Sequence, residues 1–168
     1  FCIHTRYSTQ QAILEDIVAS LYAQGMRKLI ILSGHGGNNF KGMIRDLAFV
    51  YPDFLIIAAD WFSIVPPKDY FEAVVDDHAG ESETSVMMHY HPELVNLAEA
   101  GDGESKPFAI PSLNEKVGWA PRHWDKATVD SGVGNPKNAS AEKGERYMKP
   151  VVEKLSKLFT EVGQGSLY

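Results

Sequence analysis

The sequence predicts an α/β fold, a mostly parallel sheet with helices on its faces. Two short runs of branched apolar residues, "KLIIL" (28–32) and "FLIIAA" (54–59), show no polar alternation, as expected of strands covered on both faces. Each follows a segment whose apolar residues recur at helical spacing. The order helix, strand, helix, strand calls for parallel strands joined by right-handed crossovers.

The elements follow in order. Ser8, with Gln11 three residues on, reads as a capping box that opens the first helix. Leu14, Ile17, Val18 and Leu21 continue it, and Gly25 marks its stop. After "KLIIL" and a glycine-rich loop, Phe40, Met43, Ile44, Leu47 and Ala48 mark a second helix, which Pro52 ends before "FLIIAA". Residues 60–80 are less regular, with a turn at "VPPKDYF". A helix is predicted from Gly80 to about His91, bounded by Pro92. Residues 99–138 read as long loops with a short strand or two. Trp119 and Trp124 within them imply that part of this stretch packs or binds. The last helix runs from about Ser140 to Val162, with an apolar stripe of Tyr147, Met148, Val151, Val152, Leu155, Leu158, Phe159 and Val162 and a kink expected at Pro150.

With 168 residues, 44% of them hydrophobic, one core and a single domain over 1–168 are expected. No apolar run approaches the roughly 20 residues of a membrane span, and no secretory signal is read in "FCIHTRYSTQ". The single cysteine, Cys2, leaves no intrachain disulfide and fits a reducing cytoplasm. The net charge of −6, from 22 acidic and 16 scattered basic residues, argues against nucleic acid as a partner. A small molecule, with or without a metal, is the expected partner.

In a doubly wound sheet, ligands bind beyond the carboxyl ends of the strands. "SGHGGNN" (33–39) stands there, between the first strand and the second helix. Its glycines let a ligand approach the backbone, and the helix start behind them offers unpaired N–H donors. His35 is thereby placed to bind a metal or move a proton. The alternative, a phosphate-binding turn, is weakened because the loop matches neither common phosphate-binding glycine pattern. The second constellation, "DDHAGESETS" (76–85), packs Asp76, Asp77, His78, Glu81 and Glu83 together. It reads equally as a charged helix cap, where the dipole favours acids, and as a site whose imidazole and carboxylates suit zinc or manganese. Trp61, with Asp60 beside it, follows the second strand and either walls a small-molecule pocket or belongs to the core. His4, His89, His91 and His123 read as ordinary surface or core histidines.

With "SGHGGNN", "HAGESETS" and "GVGNPKNASAEKGERY" (132–147) in this order, the chain resembles the creatininase (creatinine amidohydrolase) family along essentially its whole length. The resemblance implies a three-layer α/β/α fold, a site of two divalent ions, usually zinc or manganese, and a homo-oligomer, commonly a hexamer. It makes His35 a metal ligand. It makes His78 the residue that contacts substrate and relays a proton, and Glu83 a carboxylate near the metals. Gly36, Gly37 and Asn38 would shape the pocket floor. The implied activity is hydrolysis of a cyclic amide or related C–N bond by metal-activated water, with His78 protonating the departing nitrogen.

This sequence departs from the family pattern in three places. Gly37 stands where creatininase has a metal-binding glutamate. Val74 and Val75 stand where the family has a tryptophan and an aspartate, which argues against creatinine as substrate. The family's leading strand, with a Glu-x-His pair and a bridging aspartate, has no counterpart, so the chain is expected to match the C-terminal two-thirds of a member. The alternative function is a non-catalytic binding or assembly protein that retains the fold.

Overall fold

The structure, a computed structural model, describes residues 4–166 and 168, so Cys2 lies outside the described residues. The chain divides into two compact units, Phe1–Ile64 with Glu153–Tyr168, and Val65–Val152.

The first unit opens with α1 (Tyr7–Ala23). The capping box expected at Ser8 is not formed: the helix starts two residues before its acceptor site would allow, with Arg6 at the N-cap and no side-chain cap. Backbone alone closes this end, as Thr9 and Gln10 donate to the Arg6 carbonyl. The C-terminus behaves as read. Gly25 adopts φ 86°, its N–H bonds the Tyr22 carbonyl, and the Met26 N–H bonds Leu21. This pairing is a Schellman turn, which favours glycine because the left-handed conformation crowds a Cβ.

Strand β1 (Lys28–Ser33), helix α2 (Lys41–Val50) and strand β2 (Leu55–Asp60) follow. The strands pair in parallel, from Lys28 against Leu55 to Ser33 against Asp60. Leu14 and Val18 of α1, Met43 and Leu47 of α2, and Phe54 and Ile56 form one buried cluster. Burial on both faces of the strands, expected from their composition, is not observed: Leu32 is 50% exposed and Ala58 is exposed. Apolar composition reports what a strand can bury, and the cluster from α1 and α2 covers only part of this pair.

The stretch read as irregular holds two 3-10 turns, Trp61–Ser63 at the end of the first unit and Pro67–Asp69 in the second. Strand β3 (Asp76–His78) then leads through two residues into α3 (Glu81–Tyr90). The long loop region holds α4 (Pro111–Asn114), α5 (Trp124–Ala127) and β4 (Val133–Gly134). β4 pairs antiparallel with β3, with a register irregularity between Asp76 and His78. Helix α6 (Ala141–Gln164) contains Pro150 and contributes its first half to this unit. Tyr147 and Val151 are buried, while Val152 and Phe159, read as part of the same apolar stripe, are 45% and 42% exposed. Tyr147 packs edge-on against Tyr70 and Phe71 and donates its hydroxyl to the Val65 carbonyl at 3.2 Å.

The class is therefore α/β, as predicted. Within the second unit Gly144 allows α6 to touch α3, because a Cβ there would lie 2.1 Å from the Ser85 carbonyl oxygen. Gly144→Ala is expected to cost about 2 kcal/mol or more through overpacking, whereas Gly25→Ala, with open space around it, costs only the left-handed strain of about 1 kcal/mol. Urea denaturation of the two variants checks the order.

Candidate active site

Ser33, buried at the end of β1, anchors the glycine loop. Its hydroxyl donates to the His35 carbonyl at 3.3 Å and accepts from the Asn38 amide at 3.4 Å. The loop turns back on itself: the Asn38 N–H bonds the His35 carbonyl, and the Gly37 N–H donates to His35 Nδ1 at 2.9 Å. That last bond fixes the imidazole tautomer, since a neutral ring accepting at Nδ1 carries its proton on Nε2. A Cβ at Gly37 would sit 3.0 Å from His35 Nδ1 and would push the imidazole aside by a few tenths of an ångström. Gly36 lies against the Phe62 ring, and Trp61 meets the same ring edge-on at 5.9 Å. A cavity of about 310 Å³ opens beyond β2, lined among others by Asn38, Lys41, Arg45 and Asp60. Of the residues read as binding substrate, Asn38 lines it. Gly36, Gly37 and Trp61 do not, and Asp60 rather than Trp61 faces it.

In the second unit the turn from β3 into α3 is built by its own acidic side chains. Gly80 is the N-cap and brings no capping side chain. Asp76 reaches across instead, its carboxylate accepting from the Ser82 N–H at 3.1 and 3.3 Å. A Cβ at Gly80 would run into this carboxylate. Burial pushes the Asp76 pKa up, with the Ser82 bond resisting. Ala79 is held at φ 52°, a left-handed conformation that costs a non-glycine residue roughly 1 kcal/mol. Two neighbours clamp it. Glu83 Oε2 accepts its N–H at 2.6 Å, and the Thr84 hydroxyl donates to its carbonyl at 3.2 Å.

His78 precedes this strained residue. Its Nδ1 lies 3.9 Å from Glu83 Oε2, and its ring stands edge-on to Trp124 at 5.1 Å. The imidazole side chain is 34% exposed. Arg122 places its guanidinium 4.7 Å over the Trp124 ring and pairs with Asp77 at 2.5 Å.

Glu81, which reads as a helix-start acid, is fully buried. Its Oε2 accepts the N–H groups of Glu72 and Ala73 at 2.9 and 2.7 Å, and its Oε1 takes the Lys143 ammonium at 2.5 Å. Lys143 also donates to the Asn138 carbonyl at 2.9 Å. Burial alone would raise the carboxyl pKa. The Lys143 and amide bonds outweigh it and hold the group below its ordinary value. The Lys143 pKa is correspondingly raised, chiefly by its bond to Glu81.

The sequence reading thus located His78 and Glu83 together, and His35 in the other unit. Asp76 and Glu81 were read in the same charged segment, as cap or site, and Trp124 as an aromatic that packs or binds, whereas Arg122 and Lys143 were not singled out. The partner of Glu81, Lys143, stands in "NASAEKGERY", part of the third stretch that carries the family resemblance.

The sequence model of the creatininase family, described as creatinine amidohydrolase, matches residues 1–159. The chain belongs to the creatininase family. A mycofactocin precursor peptide peptidase of Mycobacterium ulcerans is 32% identical over 131 residues, covering 75% of this chain and 45% of that protein. The creatinine amidohydrolase of Pseudomonas putida is 23% identical over 169 residues, covering 92% of this chain and 63% of that enzyme. A crystal structure from Bacteroides fragilis NCTC 9343, provisionally assigned as a creatinine amidohydrolase, superposes with a TM-score of 0.97 at 83% identity, over 100% of this chain and 66% of its own. Solved creatininases, among them a Zn-Zn type at TM-score 0.75 and a Mn form at 0.69, share the fold at 22% and 21% identity. The chain spans less than two thirds of the length of each of these three relatives. The family match runs along nearly the whole chain and does not of itself place it in the C-terminal two-thirds of a member.

The buried pair yields an expected result. Removing one partner of such a pair leaves an uncompensated charge, so Glu81→Ala is expected to cost about 3 kcal/mol in urea unfolding at neutral pH. The lowered carboxyl pKa makes this contribution complete above the ordinary value of 4.5 and lost as pH falls through the lower folded value. The raised Lys143 pKa keeps its share complete below 10.5 and lost above that. The stability gap between wild type and Glu81→Gln should therefore narrow on acidification, and a gap independent of pH would contradict the assignment.

Proposed function

We propose that this creatininase-family chain serves as a divalent-metal hydrolase that cleaves a cyclic amide or related C–N bond. The observation that carries the reading is the turn at His78, an imidazole 3.9 Å from the Glu83 carboxylate and 34% exposed. Such a group can hand a proton to a departing nitrogen and take one back from water, provided its ring does not wander. Glu83 and the clamped Ala79 supply that restraint. The open face of His78 admits the leaving group, and Trp124 shields one side of it from bulk water.

Zinc or manganese, two ions in the whole protein, is the proposed cofactor, with His35 and Glu83 as ligands. Support comes from family membership and from the Zn-Zn and Mn forms of solved creatininases. The described residues do not make up a complete metal site: among them no three His, Cys, Asp or Glu side chains cluster around a common point. His35 as placed would also have to release the Gly37 N–H from Nδ1, whether it ligates through Nδ1 or through Nε2 with its proton moved to Nδ1. The proton transfers above accordingly run only through the chain's own groups.

The substrate is proposed to be a small molecule, as in a relative, a mutant creatininase solved in complex with creatine. Val74 and Val75 in place of a tryptophan and an aspartate favour a substrate other than creatinine. A homo-oligomer, of hexameric size by resemblance, and a cytoplasmic setting complete the reading. Among the described residues no helix is long and apolar enough to cross a membrane. The second reading is a binding or assembly protein that retains the fold without metal.

Elemental analysis of the purified protein, with hydrolysis of a panel of cyclic and linear amides in added Zn or Mn, separates the two. Bound divalent metal and turnover are expected. His35→Ala should lose metal and activity together, and His78→Asn should keep the metal while kcat falls about a hundredfold or more. Metal-free protein with no turnover would establish the binding reading instead.

A further inference from the structure

We propose that Trp124, held in place by the Arg122–Asp77 pair, is the wall of a leaving-group subsite and selects substrates whose departing amine carries a flat apolar group. The inference rests on the hydrolase reading above, in which His78 protonates the departing nitrogen.

The geometry runs from that nitrogen outward. A proton donor lies within hydrogen-bond reach of the atom it protonates, so the amine portion of the substrate sits beside the His78 ring. Trp124 packs edge-on against that ring, with centroids 5.1 Å apart. The group attached to the nitrogen therefore passes along the indole.

Three features make this indole a built surface rather than a loose side chain. Its backbone is fixed, because the Thr128 hydroxyl and N–H both bond the Trp124 carbonyl, and the flanking Lys106 N–H bonds the Ala127 carbonyl. One face is covered by the Arg122 guanidinium at 4.7 Å, itself tied to Asp77 at 2.5 Å. Cation–π contact of this kind holds a ring in place and leaves its free surface able to stack. Finally, the residue remains 38% exposed despite these contacts, so apolar area is left uncovered next to the acid–base group. Asp77, one residue before His78 on β3, links the orientation of the wall to the strand that carries the imidazole. The wall also stands in a part of the sequence far from Val74 and Val75, where the family pattern has its own tryptophan and aspartate.

The test compares the benzylamide and the methylamide of one acyl group as substrates for the full chain loaded with Zn or Mn. Wild type is expected to favour the benzylamide in kcat/KM by about tenfold. Trp124→Ala should erase that preference mainly through KM, Trp124→Phe should keep most of it, and Arg122→Met should weaken it. A wild type without preference, or a Trp124→Ala variant that retains it, overturns the proposal. Failure of wild type to hydrolyse either amide sinks the hydrolase reading, and the wall is then judged by binding alone. A saturable shift of the Trp124 indole N–H resonance with benzylamine and none with methylamine upholds it. No shift with either amine overturns it.

Discussion

A buried carboxylate holds the turn between β3 and α3 in place. Glu81 is shut from solvent and takes up three donors: two loop amides, Glu72 and Ala73, and the Lys143 ammonium of α6. A charge in that position is tolerable only when most of its lone pairs are occupied, as they are here. In return it fixes where the chain enters β3 and where α6 begins relative to α3. Gly144 against the Ser85 carbonyl and the Ser140 N–H on the Ser85 hydroxyl at 3.1 Å close the same joint from the other side.

The turn that depends on this joint carries its own strain. Ala79 in the left-handed region, Gly80 leaving room for Asp76, and Glu83 and Thr84 gripping the Ala79 peptide form one device. Non-glycine residues in that region persist where the surroundings over-determine them, often at functional sites. The product of the device is a fixed direction for His78. Its acidic residues thus act largely as acceptors of backbone N–H groups, so the charge of the segment shapes the turn itself.

Much of this was legible in the sequence. The helical periodicities, the two apolar strands, the stop at Gly25 and the resemblance carried by "SGHGGNN" and "HAGESETS" all correspond to observed elements or to the family match. What escaped was long-range. β3 is too short for a periodicity signal, and its partner β4 lies in the loop-like stretch read from glycine and proline content. Glu81 and Glu83 look alike in sequence, yet one is buried against Lys143 and the other meets Ala79 and faces His78. Only tertiary contacts separate them. Trp124 likewise reads as an aromatic in a loop until Arg122 and His78 are seen on either side. The capping box at Ser8 failed for the converse reason, since local chemistry was overridden by where the helix begins.

The most direct measurement is amide hydrogen exchange at Ala73, in wild type and in Glu81→Gln. This N–H lies on a segment without regular secondary structure and has the Glu81 carboxylate as its acceptor at 2.7 Å. If that carboxylate anchors the turn, Ala73 should exchange as slowly as amides inside α3 in wild type, and much faster in the variant. Exchange at the rate of an exposed loop amide in both proteins would contradict the central role given to Glu81.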